Sequence, residues 1–199
     1  MRIIYPQPEY TPEKLHKKAL EIVEFIQSKT REYSEKHHLN FVLQAGAGEN
    51  LVGRFAALDL QNLGAIEGIN DRGYYSNSFQ LNDELEIPWR QKLELEAPFH
   101  RLTPGGHFTF LQFPSPPQAA QVMEAVTGMA ESGIGYGGIS FQLNECMECG
   151  TLASAPGPCP NCGKDRIRKI RRVNTYLTLE EYLTPIQLKM LANRRPQLF

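Results

Sequence analysis

Four cysteines grouped in one short stretch most constrain how this chain can fold. They form two C-x2-C pairs, Cys146 with Cys149 and Cys159 with Cys162. Each pair can place two thiolates on one side of a tight turn, so two such knuckles supply four soft ligands in a closed tetrahedron. The spacing predicts structural Zn²⁺ in a zinc ribbon, and the same ligands also suit an iron or iron–sulfur centre.

Composition limits the class of protein. A length of 199 residues suffices for one domain of good size with its own core. The net charge of -1 argues against a whole-molecule nucleic-acid binder, which would normally be basic. No apolar run of about 18 residues is present, which excludes a membrane-spanning helix. The first residues lack the apolar segment of a secretory signal, so we expect a cytoplasmic protein whose thiols favour a metal over disulfides.

Helical and strand periodicities alternate along the chain, which predicts an α/β fold. Helices are expected over residues 12–37 with Thr11 as N-cap, 49–61, 117–132 and 179–193, and strands over 41–45, 107–113 and 138–143. The last two strands and the helix between them predict a parallel β-α-β unit with a right-handed crossover. The periodicity fades between residues 64 and 104, so that stretch is expected to be rich in loops.

Several collinear motifs point to one known family. They are the stretches Glu49–Phe55, Gly68–Phe79, Glu96–His100, Gly105–His107 and Gly135–Gly137, followed by the cysteine pairs. Together they cover most of residues 40–177 and resemble the C-terminal part of anaerobic (class III, glycyl-radical) ribonucleoside-triphosphate reductases. Several matches in the same order are far more specific than any single motif.

The resemblance implies a fold and a division of the chain. The fold of this family is a ten-stranded α/β barrel in which a cysteine finger loop meets a glycyl-radical loop. We therefore expect a partial barrel over residues 1–143, a four-cysteine zinc ribbon with the radical-loop segment over 144–177, and a C-terminal helix over 178–199. Most of the barrel, including the finger-loop cysteine, would precede residue 1.

The same resemblance implies a loop that contacts substrate. Its residues are Tyr74, Tyr75, Ser76 and Asn77, whose counterparts in the family approach the nucleotide. The alternative interpretation is that the two aromatic side chains of this loop pack against the rim of the barrel.

The chain departs from the family at the radical residue. The family motif is Arg-Val-x-Gly-Tyr-Leu, whereas this sequence has Thr175 in the position of the glycine. A glycyl radical persists because it is planar and delocalised between two peptide groups, and a threonine side chain obstructs that planarity. All four cysteines are assigned to the metal site, so none remains to form the thiyl radical. We therefore predict no catalytic residue and no ribonucleotide reduction by this chain alone.

These observations predict a component of an anaerobic ribonucleotide reductase system, an oxidoreductase that makes DNA precursors. A larger reductase-like chain, or self-association, would complete the barrel. The radical would come from elsewhere, from a cobalamin cofactor or a separate glycyl-radical protein. The alternative is a non-catalytic zinc-ribbon module that binds or regulates through nucleotides or nucleic acid.

Two further groups of residues carry charged or titratable side chains. The basic segment from Lys164 to Arg172 could contact phosphates, but it lacks aromatic residues for stacking, so a solvated strand with outward charges is the preferred interpretation. Glu96, His100 and His107 could imitate an acid–base or metal cluster. The three together fit neither a single helix face nor a tight knuckle, and we expect loop histidines that are solvated or hydrogen-bonded.

Overall fold

The computed structural model describes residues 12–48 and 50–198 of the chain. The helices are α1 (Pro12–His37), α2 (Leu51–Leu63), α3 (Trp89–Leu102), α4 (Ala119–Ser132) and α5 (Pro185–Asn193), with a short 3₁₀ helix at Glu180–Tyr182. The strands are β1 (Thr109–Gln112), β2 (Gly137–Ser140), β3 (Leu143–Cys146), β4 (Leu152–Ala153), β5 (Ile167–Arg172) and β6 (Leu177–Leu179).

The α/β class is confirmed. The predicted cap at Thr11 and helix start at Glu49 lie outside the described residues. Across the described residues, every helix is too short or too polar to cross a bilayer.

The predicted β-α-β unit is present. Strands β1 and β2 pair in parallel from Thr109 opposite Gly137 to Gln112 opposite Ser140, and α4 connects them. The helix ends at Gly133, whose φ of 81° is a left-handed conformation that glycine adopts without steric cost. The strand predicted over 138–143 is wrong in its extent, because β2 ends at Ser140 and the chain then enters a second sheet.

That second sheet is the antiparallel ribbon, with strand order β4-β3-β5-β6. Its longest pairing joins β3 to β5, from Leu143 opposite Ile170 to Cys146 opposite Ile167. A tight turn joins β5 to β6, closed by a 3.0 Å hydrogen bond from the Val173 N–H to the Tyr176 carbonyl. The sheet therefore fixes both the first cysteine pair and the hairpin that carries Thr175.

Helix α3 lies within the stretch that we expected to be loop, so that prediction is wrong for residues 89–102. The usual apolar pattern of a buried helix face is interrupted here. Lys92 and Glu96 are polar residues on that face, and Pro98 lies inside the helix. The helix packs against α1, α4 and β1. Its core with β1 and α4 consists of Trp89, Leu93, Leu111, Phe113, Ala125 and Met129.

Close packing between α3 and α4 depends on a glycine. A Cβ atom added at Gly128 on α4 would lie 2.5 Å from the indole ring of Trp89. Real Cβ atoms do not approach an aromatic carbon so closely, so the two helices can contact only with hydrogen at this position.

The segment 41–45 was predicted as a buried strand, and this prediction is wrong. Phe41 and Val42 are 45% and 54% exposed. The segment exchanges two backbone hydrogen bonds with the loop after α3, from Ala45 N–H to Gly106 O (2.9 Å) and from Gly105 N–H to Leu43 O (2.8 Å). Two bonds to an irregular loop leave the segment without a strand ladder.

The C-terminal helix starts later than residue 179, where we expected it. Residues 180–182 form the 3₁₀ helix, and α5 begins at Pro185 after Thr184. The Thr184 hydroxyl accepts a hydrogen bond from the Gln187 N–H, and Pro185 suits the first helical position because it has no N–H to satisfy. This cap and proline set the start of the helix.

Large apolar side chains remain exposed on α1, α2 and α4. Phe25 on α1, Leu63 on α2 and Met123 on α4 are 62%, 62% and 65% exposed. An open apolar groove lies beside α1. It is lined by Ile26 and Tyr33 of the helix and by Phe41 and Val42, which follow the helix. Contiguous apolar surface of this kind marks a site of protein contact more often than a solvated face.

Candidate metal centre and neighbouring loops

The two cysteine pairs adopt the same local backbone turn. The Gly150 N–H donates to the Cys146 carbonyl and the Gly163 N–H donates to the Cys159 carbonyl, each at 2.9 Å. Both glycines have left-handed φ values, 71° and 69°, which a side chain would disfavour. The C-x2-C-Gly sequence therefore folds into a knuckle twice, with the two turns facing each other.

This arrangement brings the four sulfur atoms together. All four Sγ atoms lie within 4.8 Å of one another, with Cys146 and Cys162 at 3.6 Å and Cys149 and Cys159 at 3.5 Å. Four thiolates around Zn²⁺, at Zn–S of about 2.3 Å in a tetrahedron, have sulfurs about 3.8 Å apart. All four are free thiols. The residues present therefore fit one tetrahedral metal ion.

One ligand is favoured as a thiolate by its surroundings. Cys149 Sγ lies 3.2 Å from the Thr151 hydroxyl. Hydrogen bonds from the side chain and then the backbone of Thr151 lower the pKa of Cys149 to about 6. The thiolate is the form that binds a metal, so this sulfur is ready as a ligand at neutral pH.

The basic segment after the cysteines is largely neutralised by carboxylates. Arg166 pairs with Glu148 and Arg168 with Glu145, both at 2.7 Å. Lys169 and Arg171 share Glu180, at 3.0 and 2.8 Å. Each of these four cations thus has a carboxylate partner, which agrees with a solvated strand.

Thr175 is exposed in the tight turn between β5 and β6. The turn is held from α5 by Arg194, whose guanidinium donates to the carbonyls of Arg172 and Val173, each at 3.0 Å. Arg194 is itself paired with Asp83 at 3.3 Å. Arg194 therefore holds the hairpin in place from α5, and Thr175 lies exposed in its turn.

The tyrosines of the predicted substrate loop are held by structural hydrogen bonds. The Tyr74 hydroxyl donates to Glu84 at 2.8 Å and accepts from Asn193 at 2.9 Å. The Tyr75 hydroxyl donates to Asp59 at 2.7 Å. Burial raises the pKa of both phenols to about 12, so they stay protonated at neutral pH.

The rest of this loop is fixed by the segment before α2. The Asn77 amide oxygen accepts from the Gly48 N–H at 2.9 Å, and Asn77 is buried. Ser76, between them, is half-buried. Tyr74 also packs with Val52 and Met190. These contacts establish the packing role of the loop, and substrate contact by its four residues stays a prediction.

A buried polar network on α3 was missed by sequence reasoning. Glu96 is completely buried and pairs with Lys92, which is also buried. Its carboxylate accepts from the Leu81 N–H at 2.9 Å and from the Thr109 hydroxyl at 2.7 Å. The available signal was the spacing of four residues from Lys92 to Glu96 and on to His100, which places all three on one helix face.

His100 lies on α3 and belongs to the same network, so the hydrogen-bonded alternative holds for it, whereas the buried His107 fits neither alternative. His100 Nε2 lies 2.9 Å from the Thr109 hydroxyl, and its Nδ1 accepts from the Gly135 N–H at 3.2 Å. His107 is 2% exposed, 4.5 Å from His100 between ring centroids, and neither ring nitrogen has a partner among the described residues. Burial lowers the pKa of both histidines to about 4.

Comparison with known proteins gives a consistent result. The sequence matches the family described as "Anaerobic ribonucleoside-triphosphate reductase" over residues 2–194. The chain is 32% identical over 176 residues to the anaerobic ribonucleoside-triphosphate reductase of Escherichia coli, covering 84% of this chain and 25% of that protein. The corresponding protein of Haemophilus influenzae is 30% identical, with the same coverage. The chain thus spans about a quarter of the length of these relatives.

Solved structures have the same fold. An anaerobic ribonucleotide reductase aligns with a TM-score of 0.75 at 15% identity, over 94% of this chain and 29% of that one. The Thermotoga maritima anaerobic ribonucleotide reductase, in complex with dATP and CTP, aligns with a TM-score of 0.66 at 16% identity. That alignment covers 93% of this chain and 29% of that one.

The buried ion pair on α3 should dominate the stability of the helical part. We expect Glu96→Gln to lower the free energy of unfolding by about 3–5 kcal/mol, because it leaves Lys92 charged and buried without a counter-ion. The matched control is Glu124→Gln, which breaks an exposed pair with Arg90 and should cost only about 0–1 kcal/mol. Urea unfolding of both variants measures the difference, and equal small losses would contradict the burial of the pair.

The two histidines should make stability depend on pH. The unfolded chain protonates them near pH 6.5, whereas the folded protein does so only near pH 4. Between these two pH values the unfolded chain takes up protons that the folded protein does not. The free energy of unfolding is therefore highest above pH 6.5 and decreases as the pH falls towards 4. We expect His107→Phe to reduce the slope of unfolding free energy against pH in this window. An unchanged slope would show that His107 protonates freely in the folded state.

Proposed function

Because the chain belongs to the anaerobic ribonucleoside-triphosphate reductase family, we propose that it is the C-terminal component of a ribonucleotide reductase system that is inactive by itself. The observation that carries the proposal is Thr175 in the radical hairpin. Its Cβ substituents oppose the planar geometry that a glycyl radical needs. The four cysteines, which would otherwise offer a thiyl radical, are gathered around one metal position.

A larger reductase-like chain is the partner that we propose. It would contribute the remaining barrel and the cysteine that starts ribose reduction. The exposed apolar surfaces of α1, α2 and α4 support this proposal, because each lacks a covering element among the described residues. The radical would be generated on that partner, by a cobalamin cofactor or by a separate glycyl-radical protein.

Within this assembly the chain has three proposed parts. Residues 1–143 form the barrel segment, 144–177 the ribbon with the altered radical hairpin, and 178–199 the C-terminal helix. Tyr74, Tyr75, Ser76 and Asn77 would border the nucleotide. Their contacts with α2, α5 and the segment before α2 support a rigid wall, with the half-buried Ser76 as the group available to a ligand. A system that acts on free ribonucleotides would work in the cytoplasm.

We propose structural Zn²⁺ as the metal of the ribbon. Cys146, Cys149, Cys159 and Cys162 would hold it, and a closed set of four thiolates leaves no position for substrate. Bound metal would supply folding energy by fixing the two knuckles against each other. Because β3 ends in the first knuckle and pairs with β5, this support would extend along β5 to the Thr175 hairpin.

Metal analysis tests the ribbon assignment. The purified chain should contain about one zinc per chain. Cys159→Ser should lose this metal and destabilise the ribbon by several kcal/mol, since Zn²⁺ binding is coupled to folding. Met147→Ala, an exposed position inside the first knuckle, is the matched control and should keep its zinc. Stoichiometric iron would reassign the metal, and a stable chain without zinc or iron would contradict the site.

An anaerobic assay tests the catalytic proposal. The isolated chain, incubated with an activating enzyme and a ribonucleoside triphosphate, should form no deoxyribonucleotide and no glycyl-radical signal in electron paramagnetic resonance. Activity should appear only when the larger partner chain is added. The control is the zinc-loaded Met147→Ala variant, which should behave identically.

Two outcomes would contradict this proposal. Turnover by the isolated chain would show that a radical route exists without a partner. Purification from the native cell only as a homo-oligomer, with no reductase-like chain attached, would favour the independent zinc-ribbon module.

A further inference from the structure

A cavity lies at the base of the β5–β6 hairpin and is separate from both the metal position and the predicted substrate loop. It has a volume of about 410 Å³ and lies between the ends of β1 and β2, strand β5 and helix α5. Gln112 and Ser140 line it from the barrel strands, and Leu188 and Leu191 line it from α5. The volume falls in the range of about 300–1,000 Å³ typical of small-molecule sites.

The cavity is strongly positive. Four cations line it, Lys169, Arg171, Arg172 and Arg194, together with the single carboxylate of Glu180. Glu180 is already shared by two of these cations, Lys169 and Arg171. Arg194 has Asp83 as its partner. The lining carries four positive charges against one negative charge, so the cavity favours an anion.

Arg172 is the cation that the protein leaves unbalanced. It makes no ion pair within the described residues, and its guanidinium stacks over the Phe110 ring at 4.0 Å. Its Nη1 donates to the Asn174 carbonyl at 2.9 Å, while its Nε is buried without a partner. Burial, together with the neighbouring charge of Arg194, lowers the pKa of Arg172 to about 9. A bound anion would accept a hydrogen bond from the Arg172 guanidinium and would offset its buried positive charge.

Gln112, which also lines the cavity, has an acceptor without a donor, whereas Arg172 has a donor without an acceptor. The side-chain oxygen of Gln112 is buried and has no hydrogen-bond donor in the described structure. The Gln112 backbone is fully used, since its N–H donates to the Gln197 side chain at 2.6 Å and its carbonyl accepts from the Gln197 N–H at 3.0 Å. A ligand for this cavity therefore needs a hydroxyl or amino donor as well as negative charge.

We propose that this cavity binds a small phosphate ester, with its phosphate at Arg172 and a hydroxyl or amino group donating to Gln112. Guanidinium groups recognise phosphate through paired, charge-assisted hydrogen bonds, which suits a planar group pinned against an aromatic ring. A cavity of this volume suits a small molecule. The inference goes beyond the proposed function, because it needs neither radical chemistry nor a partner chain.

Isothermal titration calorimetry of the full zinc-loaded chain tests the proposal with three probes. Ribose 5-phosphate should bind, inorganic phosphate should bind more weakly, and ribose should not bind measurably. Affinity for the ester should fall as salt is raised, because the contact is electrostatic. Inorganic phosphate binding as tightly as the ester would overturn the role of Gln112. Absence of binding by either phosphate would overturn the site.

Variants locate the binding. Arg172→Met should weaken ribose 5-phosphate binding at least about tenfold, the loss expected for a charge-assisted hydrogen bond. Lys169→Gln, at an exposed position on the rim, should weaken it about two- to threefold without threatening the fold. Arg166→Gln, on the same ribbon but away from the cavity, is the matched control and should bind normally. Equal losses in all three variants would reveal non-specific attraction to the ribbon and overturn the proposal.

Discussion

The carboxylate of Glu96 has no exposed surface, and three separate segments of the chain are arranged to satisfy it. Lys92 supplies the counter-charge from one helical turn before it, and the Leu81 N–H and the Thr109 hydroxyl bind it from a loop and a strand. A buried charge tolerates little displacement of its partners. The position of α3 against β1, and through α3 the positions of α1 and α4, therefore depend on this one group.

The ribbon depends on a different constraint, the distance between four sulfur atoms. Strand β3 ends at Cys146 in the first knuckle, and β5 begins shortly after the second knuckle. Strand β5 continues into the hairpin that Arg194 holds from α5 through two hydrogen bonds. Arg194 also reaches Asp83, which precedes α3. Arg194 therefore connects the ribbon to the helical part. The ribbon depends on the four thiols, whereas the helical part depends on the buried ion pair.

The sequence predicted best what is determined locally. The cysteine spacing, the long α1 and the β-α-β unit each follow from residues close together in the chain. Helix α3 was missed because its buried face carries Lys92 and Glu96, which pair with each other inside the protein, so the polar pattern looked solvated. The segment at Phe41 failed for the converse reason, since its apolar residues have no covering partner among the described residues. Packing between distant segments is what a local pattern cannot report.

Trp89 is the single tryptophan of the chain, and it lies 5% exposed at the junction of α3 with α4 and β1. Its indole therefore works as a built-in fluorescence probe of that junction, and the ribbon contains no tryptophan. Thiol accessibility would follow the ribbon separately, because all four cysteines lie there. Comparing these observables during denaturation would show directly whether the two halves come apart together or one after the other.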